Sequence, residues 1–151
     1  MENSFNINYQ KLAARDRGLI FEVARSLFLT DANKAGTIIN RVLHTIRRTL
    51  TYQESAEFIS RLPQYLKVMY VADWTPREQK VKIQHLDEFT DYVLQVDRES
   101  DTRVFHKEVD ALSAVITVLK ALNRHVHLLD LPSFSYSLQR ELQETMLEPA
   151  A

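Results

Sequence analysis

The sequence predicts an all-α protein built of two pseudo-repeated helical units packed into one helical bundle domain, and three observations carry that prediction. Apolar side chains recur at three- and four-residue steps, the spacing that gathers them on one face of a helix. With 2 Gly and 4 Pro in 151 residues, the chain lacks the turn residues that a sheet needs at short intervals. The segment from Ile39 also recurs from Val115 without a gap. Val42, Leu43, Arg48, Phe58, Leu62 and Leu66 coincide with Val118, Leu119, Arg124, Phe134, Leu138 and Leu142 at a constant shift of 76 positions. Ile39 over Val115, Ile46 over Leu122 and Leu50 over Val126 keep the apolar class at that shift, so the match follows the pattern that buries side chains.

Residues 1–8 read as a loose tail, with a single all-helical domain over 9–147 and a frayed end over 148–151. Asn8 is placed to cap a helix running through Leu12, Leu19, Ile20, Val23, Ala24 and Leu27, which Gly18 is placed to break. Thr30 or Asp31 then caps the clearest helix, carrying Ala35, Ile38, Ile39, Val42, Leu43, Ile46 and Leu50 on one stripe. Thr51-Tyr52-Gln53-Glu54 is a capping box that starts a third helix with Phe58, Ile59 and Leu62 inward. Pro63 suits the first turn of the next, which holds Leu66, Met69 and Tyr70.

These elements make repeat one, about 19–72; residues 73–84 are a connecting loop anchored by Trp74 and Pro76, with room for a helical turn after Thr75. Repeat two, about 85–147, opens with Leu86, Phe89, Val93 and Leu94 and pauses across the polar residues from Asp97 to Asp101. Its central helix is expected from about Thr102 to His125, with Phe105, Val109, Leu112, Ile116, Leu119 and Leu122 inward. Leu128 to Ser133 is a turn, and a last helix bears Phe134, Leu138, Leu142 and Met146.

Composition narrows the functions. The absence of cysteine removes disulfides, thiol nucleophiles and thiolate metal sites, and fits a reducing cytosol. The longest apolar run, Val68 to Ala72, is far short of the roughly 18 residues of a membrane span. Met1-Glu2-Asn3-Ser4 lacks the charged and apolar regions of a signal peptide. The expectation is a cytoplasmic protein of bacterial type. With 19 basic and 20 acidic side chains, no long-range attraction to nucleic acid or anionic lipid arises.

The stretch from Phe21 through Trp74 is familiar in its Val23 and Ala24, its central Arg41 to Thr51, its Glu54-Ser55-Ala56, its Leu62-Pro63 and its Tyr70 to Trp74. It resembles the DUF2267 family, prokaryotic proteins of unknown function that look like two helical repeats. The resemblance continues through Glu88-Phe89, Val118-Leu119 and Arg124-His125-Val126. This chain has Asp73 where the family pattern tends to place Gly, and its second half lacks a counterpart of Leu62-Pro63. The resemblance implies a fold and brings no catalytic residues.

Catalytic signatures are missing. Gly18 and Gly36 stand alone, so neither a phosphate-cradling loop nor a nucleophile elbow is encoded, and no cofactor motif is found. His44, His85, His106, His125 and His127 have no metal-ligand spacing and read as surface residues and helix-end cations, so no metal site is assigned. Asp87, Glu88 and Asp91 suit the negative first turn of a helix. Arg41, His44, Arg47 and Arg48 give the central helix a basic edge. A solvated helix face explains it better than DNA, since Pro63 and the lack of a turn Gly spoil a helix-turn-helix over Thr51 to Leu66.

Tyr65, Tyr70 and Trp74 gather near the junction of the repeats, where they either plug the seam or, with Arg41, His44 and Arg48, offer a ligand or partner surface. The leading functional expectation is a non-enzymatic protein-binding module or adaptor with a protein partner, including a second copy of itself. Its rivals are a small-molecule-binding or enzymatic protein with a pocket at the repeat junction, and a DNA-binding regulator.

Overall fold

The computed structural model describes residues 8, 9, 11, 18–75, 80–100, 102–106, 108–128, 131 and 134–147. Seven helices are delimited there: α1 (Leu19–Ser26), α2 (Ala32–Thr49), α3 (Tyr52–Ser60), α4 (Gln64–Val71), α5 (Leu86–Arg98), α6 (Glu108–Val126) and α7 (Tyr136–Leu147). No strand occurs among the described residues. The tail at 1–7, the turn after Thr75 and the frayed end at 148–151 lie outside them.

Two long helices form the centre. α2 packs on α1, α4, α5 and α6, while α6 packs on α1, α2, α5 and α7. One continuous apolar core includes Leu19, Val42, Phe58, Leu66, Phe89, Val118 and Leu138, so every helix contributes to it. The apolar positions paired by the 76-residue shift, from Ile39 with Val115 to Leu66 with Leu142, are all buried.

Local chemistry sets the boundaries. Asn8 Oδ1 accepts the Lys11 N–H, as a cap does. Asp31 accepts from the Asn33 N–H and starts α2. Both halves of the Thr51–Glu54 capping box are made, at 3.1 and 2.9 Å. Pro63 is the residue before α4 rather than within its first turn. α1 lacks a capping side chain of its own, because Gly18 stands there, and the Leu19 N–H donates instead to the Tyr65 hydroxyl at 3.0 Å. A Cβ at position 18 would lie 2.7 Å from that hydroxyl, which explains the glycine. Tyr65→Phe therefore leaves a buried N–H without this acceptor, and urea unfolding is expected to register a loss of ~1–3 kcal/mol.

Several expectations are corrected. The central helix of the second half starts at Glu108, not Thr102, and Phe105 precedes it. Asp97 does not open a polar pause: it lies inside α5 at 1% exposure. Leu112 is 42% exposed, since it faces away from the stripe that buries Ala111, Val115 and Val118. Phe134 is buried but precedes α7. Gly18 is a bend with helical residues at Tyr9 and Lys11 before it and α1 after it, in keeping with a break there, and the Tyr65 hydroxyl occupies the space beside it.

Candidate functional site

A helix leaves its last four carbonyls without intrahelical partners, and the short α4 has no basic residue in its last turn. α2 supplies what is missing. His44 Nε2 lies 3.0 Å from the Met69 carbonyl oxygen, and Arg47 Nη1 donates to the carbonyls of Tyr70 and Ala72 at 2.6 and 2.9 Å. Arg41 donates to Asn40 Oδ1, which fixes the Asn40 amide and turns its Nδ2 toward Met69 as well. A carbonyl oxygen only accepts, so the bond to Met69 calls for a proton on His44 Nε2. Burial, reinforced by the Arg47 guanidinium, pushes the His44 pKa down to about 3.

The basic edge of α2 is accordingly not a solvated face: Arg41 and His44 are 8% exposed and Arg47 3%. His44 likewise leaves the group of surface histidines. The helix is covered on nearly all sides, with 13 of its 18 residues buried. Arg48 alone of the four is half-buried, pairing with Glu99 at 2.7 Å and holding that carboxyl below the usual range.

Asp97 is the residue that sequence reasoning missed. Its carboxylate accepts from Arg41 Nε at 2.8 Å and from the backbone N–H groups of Val104 and Phe105 at 3.0 Å. Arg41 Nη2 adds a bond to the Thr102 carbonyl at 2.5 Å. A buried ion pair between α2 and α5 thus fixes the path of residues 102–105. Tyr9 lies beside the same arginine, its phenol pushed up to about 12 by burial against the opposing effect of Arg41.

The three aromatic residues do not converge on one ligand space. Tyr65 is buried against α1, whereas the Tyr70 hydroxyl shares a hydrogen bond with Ser55 at 2.8 Å. Trp74 stands edge-on to Tyr70 and beside Tyr52, with ring centres 5.9 and 5.3 Å away, and Arg47 lies over its face. The Trp74 indole N–H is buried without a hydrogen-bond partner among the described residues. Asp73 before it has φ 56°, the left-handed conformation that suits the glycine of the family pattern.

An open cleft lies elsewhere. It has a volume of about 430 Å³ and runs between the α1–α2 loop, Ser26 to Leu29, and the segment Val104 to His106, with Lys34 and Ile38 of α2 and Ser113 and Ala114 of α6 completing the lining. The Asp97 hydrogen bonds hold one wall. The other wall ends in Phe28, 94% exposed and at φ 57°. Here α1 closes with a Schellman motif, the Leu29 N–H donating to Ala24 O and the Phe28 N–H to Arg25 O. That motif places Phe28 at the position glycine usually takes, where an L side chain costs ~1–2 kcal/mol. The signal was present in the sequence: Leu27-Phe28-Leu29 is more apolar than a short helix connection requires.

The helical order, the buried polar lattice and the Asp73 turn can be set beside known families. The family model described as "Uncharacterized conserved protein (DUF2267)" matches residues 17–145. The chain belongs to the DUF2267 family. No curated protein matches it. The DUF2267 match spans both central helices and both walls of the cleft, so the cleft belongs to the matched region. Among the described residues, no group of three or more histidine, aspartate or glutamate side chains is arranged to hold a metal ion. No helix among them is long and apolar enough to cross a membrane.

Proposed function

We propose that this DUF2267 protein is a non-enzymatic, cytoplasmic, prokaryotic binding module or adaptor, and that a protein partner docks at the cleft between the α1–α2 loop and residues 104–106. The observation that carries the reading is Phe28. Its backbone conformation is costly and its ring buries almost nothing within the chain, so folding alone gives no reason for an aromatic side chain there. An exposed ring beside an apolar cleft is the usual makeup of a docking anchor. The absence of cysteine supports the cytoplasmic part. A pocket at Tyr65, Tyr70 and Trp74 has less in its favour, since those side chains are engaged with neighbouring helices. DNA binding would have to rely on cations other than Arg41 and Arg47, whose guanidiniums hold carbonyls and Asp97.

The two halves are proposed to descend from one duplicated unit. The shared burial at the 76-residue shift supports this, as do two exchanged ion pairs. Arg48 at the end of α2 reaches Glu99 beyond α5, while Arg124 at the end of α6 reaches Glu22 on α1.

A photo-activated cross-linking residue at position 28, in cells producing the full chain, tests the docking reading against the same group at Tyr136, which is 77% exposed on α7. A discrete cross-linked protein from position 28 and none from 136 is expected. Equal labelling at both positions, or none at 28, removes the reading.

A further inference from the structure

The geometry points to a second copy of this chain as the occupant of the cleft, with Phe28 and Asp31 of one protomer seated against Lys34 and His106 of the other; this rests on the cleft being a protein-docking site. The described lining of the cleft is chemically one-sided. Among the described residues that line it, the ionisable side chains are Lys34 and His106 and none is a carboxylate, over apolar surface from Ile38, Phe105 and Ala114. A fitting occupant therefore presents an apolar anchor followed closely by a carboxylate.

The α1–α2 loop has that makeup. It projects the Phe28 ring, and three residues later the exposed Asp31 carboxylate. The same loop forms one wall of the cleft, so anchor and receptor share one face of the molecule. A twofold axis through that face closes two equivalent ring-in-cleft contacts, which is the condition for an isologous dimer. A formal net charge of −1 gives little repulsion between copies. Each Phe28 ring would withdraw on the order of 150–250 Å² from water on insertion, and each Lys34 would gain an anionic partner.

Sedimentation equilibrium of the full chain, from low micromolar to near-millimolar concentration, tests this. The wild type is expected to show a concentration-dependent monomer–dimer equilibrium. Phe28→Gly is expected to weaken it by at least about tenfold, as loss of an anchoring ring does. The same variant suits the left-handed backbone and should melt a few degrees higher in dilute solution, so loss of the dimer cannot be ascribed to misfolding. Lys34→Glu is expected to weaken the dimer as well. A wild type that stays monomeric throughout, or a dimer unmoved by these substitutions, overturns the proposal. A monomeric wild type together with a discrete cross-link from position 28 to a different protein overturns self-association and leaves the docking site standing; absence of both removes the two together.

Discussion

Asp97→Ala is expected to destabilise the fold by ~3–5 kcal/mol, the cost of leaving a buried charge without its counter-ion. The Arg41 guanidinium, 8% exposed, would keep only neutral acceptors, Asn40 Oδ1 and the Thr102 carbonyl. The Val104 and Phe105 N–H groups would lose their shared acceptor at the same time. Urea unfolding followed by circular dichroism measures the loss, and amide exchange at Val104 and Phe105 reports whether the cleft wall loosens with it. Adding Arg41→Met to Asp97→Ala removes the stranded cation but not the stranded N–H groups. The double variant is therefore expected to recover part of the stability and remain ~1–3 kcal/mol below wild type. By contrast, breaking the half-exposed Arg48–Glu99 pair should cost no more than ~1 kcal/mol. If Asp97→Ala costs as little as that, the pair does not organise residues 102–105.

The apolar stripe of α2, the Asp31 cap, the capping box at Thr51 and the all-helical class were legible because each is a local pattern with one physical reading. What escaped was the fate of polar residues on helices that are covered from two sides. Asp97 follows Phe89 and Val93 at four-residue steps, so phase alone puts it on the buried stripe of α5. Polarity masked that phase. Arg41, His44 and Arg47 lie off the apolar stripe of α2, where amphipathicity predicts water. Their burial depends on where the carbonyl end of α4 and the body of α5 come to rest, and one helix's sequence does not state its neighbours. Tyr65, Tyr70 and Trp74 do not converge on one ligand space, because the spacing that drew attention to them is equally the spacing of packed side chains. Phe28 is the opposite case: the apolar run Leu27-Phe28-Leu29 is a visible signal, and the helix-ending turn adds that the ring is directed outward at a conformational cost.

Acidification is expected to weaken the protein through His44 well before the carboxylates titrate. Its pKa is about 3 in the fold and 6.5 when free, so between those values the unfolded chain holds a proton that the native ring refuses. Stability from this residue is therefore complete above pH 6.5 and declines as pH falls toward 3. The slope is that of one proton taken up on unfolding, and the loss over the whole window amounts to a few kcal/mol. For a domain with a net stability of about 5–15 kcal/mol, that is enough to bring acid unfolding within reach. The competing terms have other windows. Hydrogen bonding to Glu141 raises the His85 pKa, so its stabilisation is full below its free value and fades only as pH rises. The Arg48 bond lowers the pKa of Glu99, whose stabilisation is lost only as pH falls through the acidic end of the range. Urea midpoints measured from pH 6.5, where the His85 contribution is already complete, down to about pH 5 therefore isolate His44. In His44→Gln, an amide still donates to the Met69 carbonyl but takes up no proton, so the slope in that interval is expected to flatten. A wild-type slope near zero there would mean that the ring is open to water and that the carbonyl end of α4 is not sealed by α2.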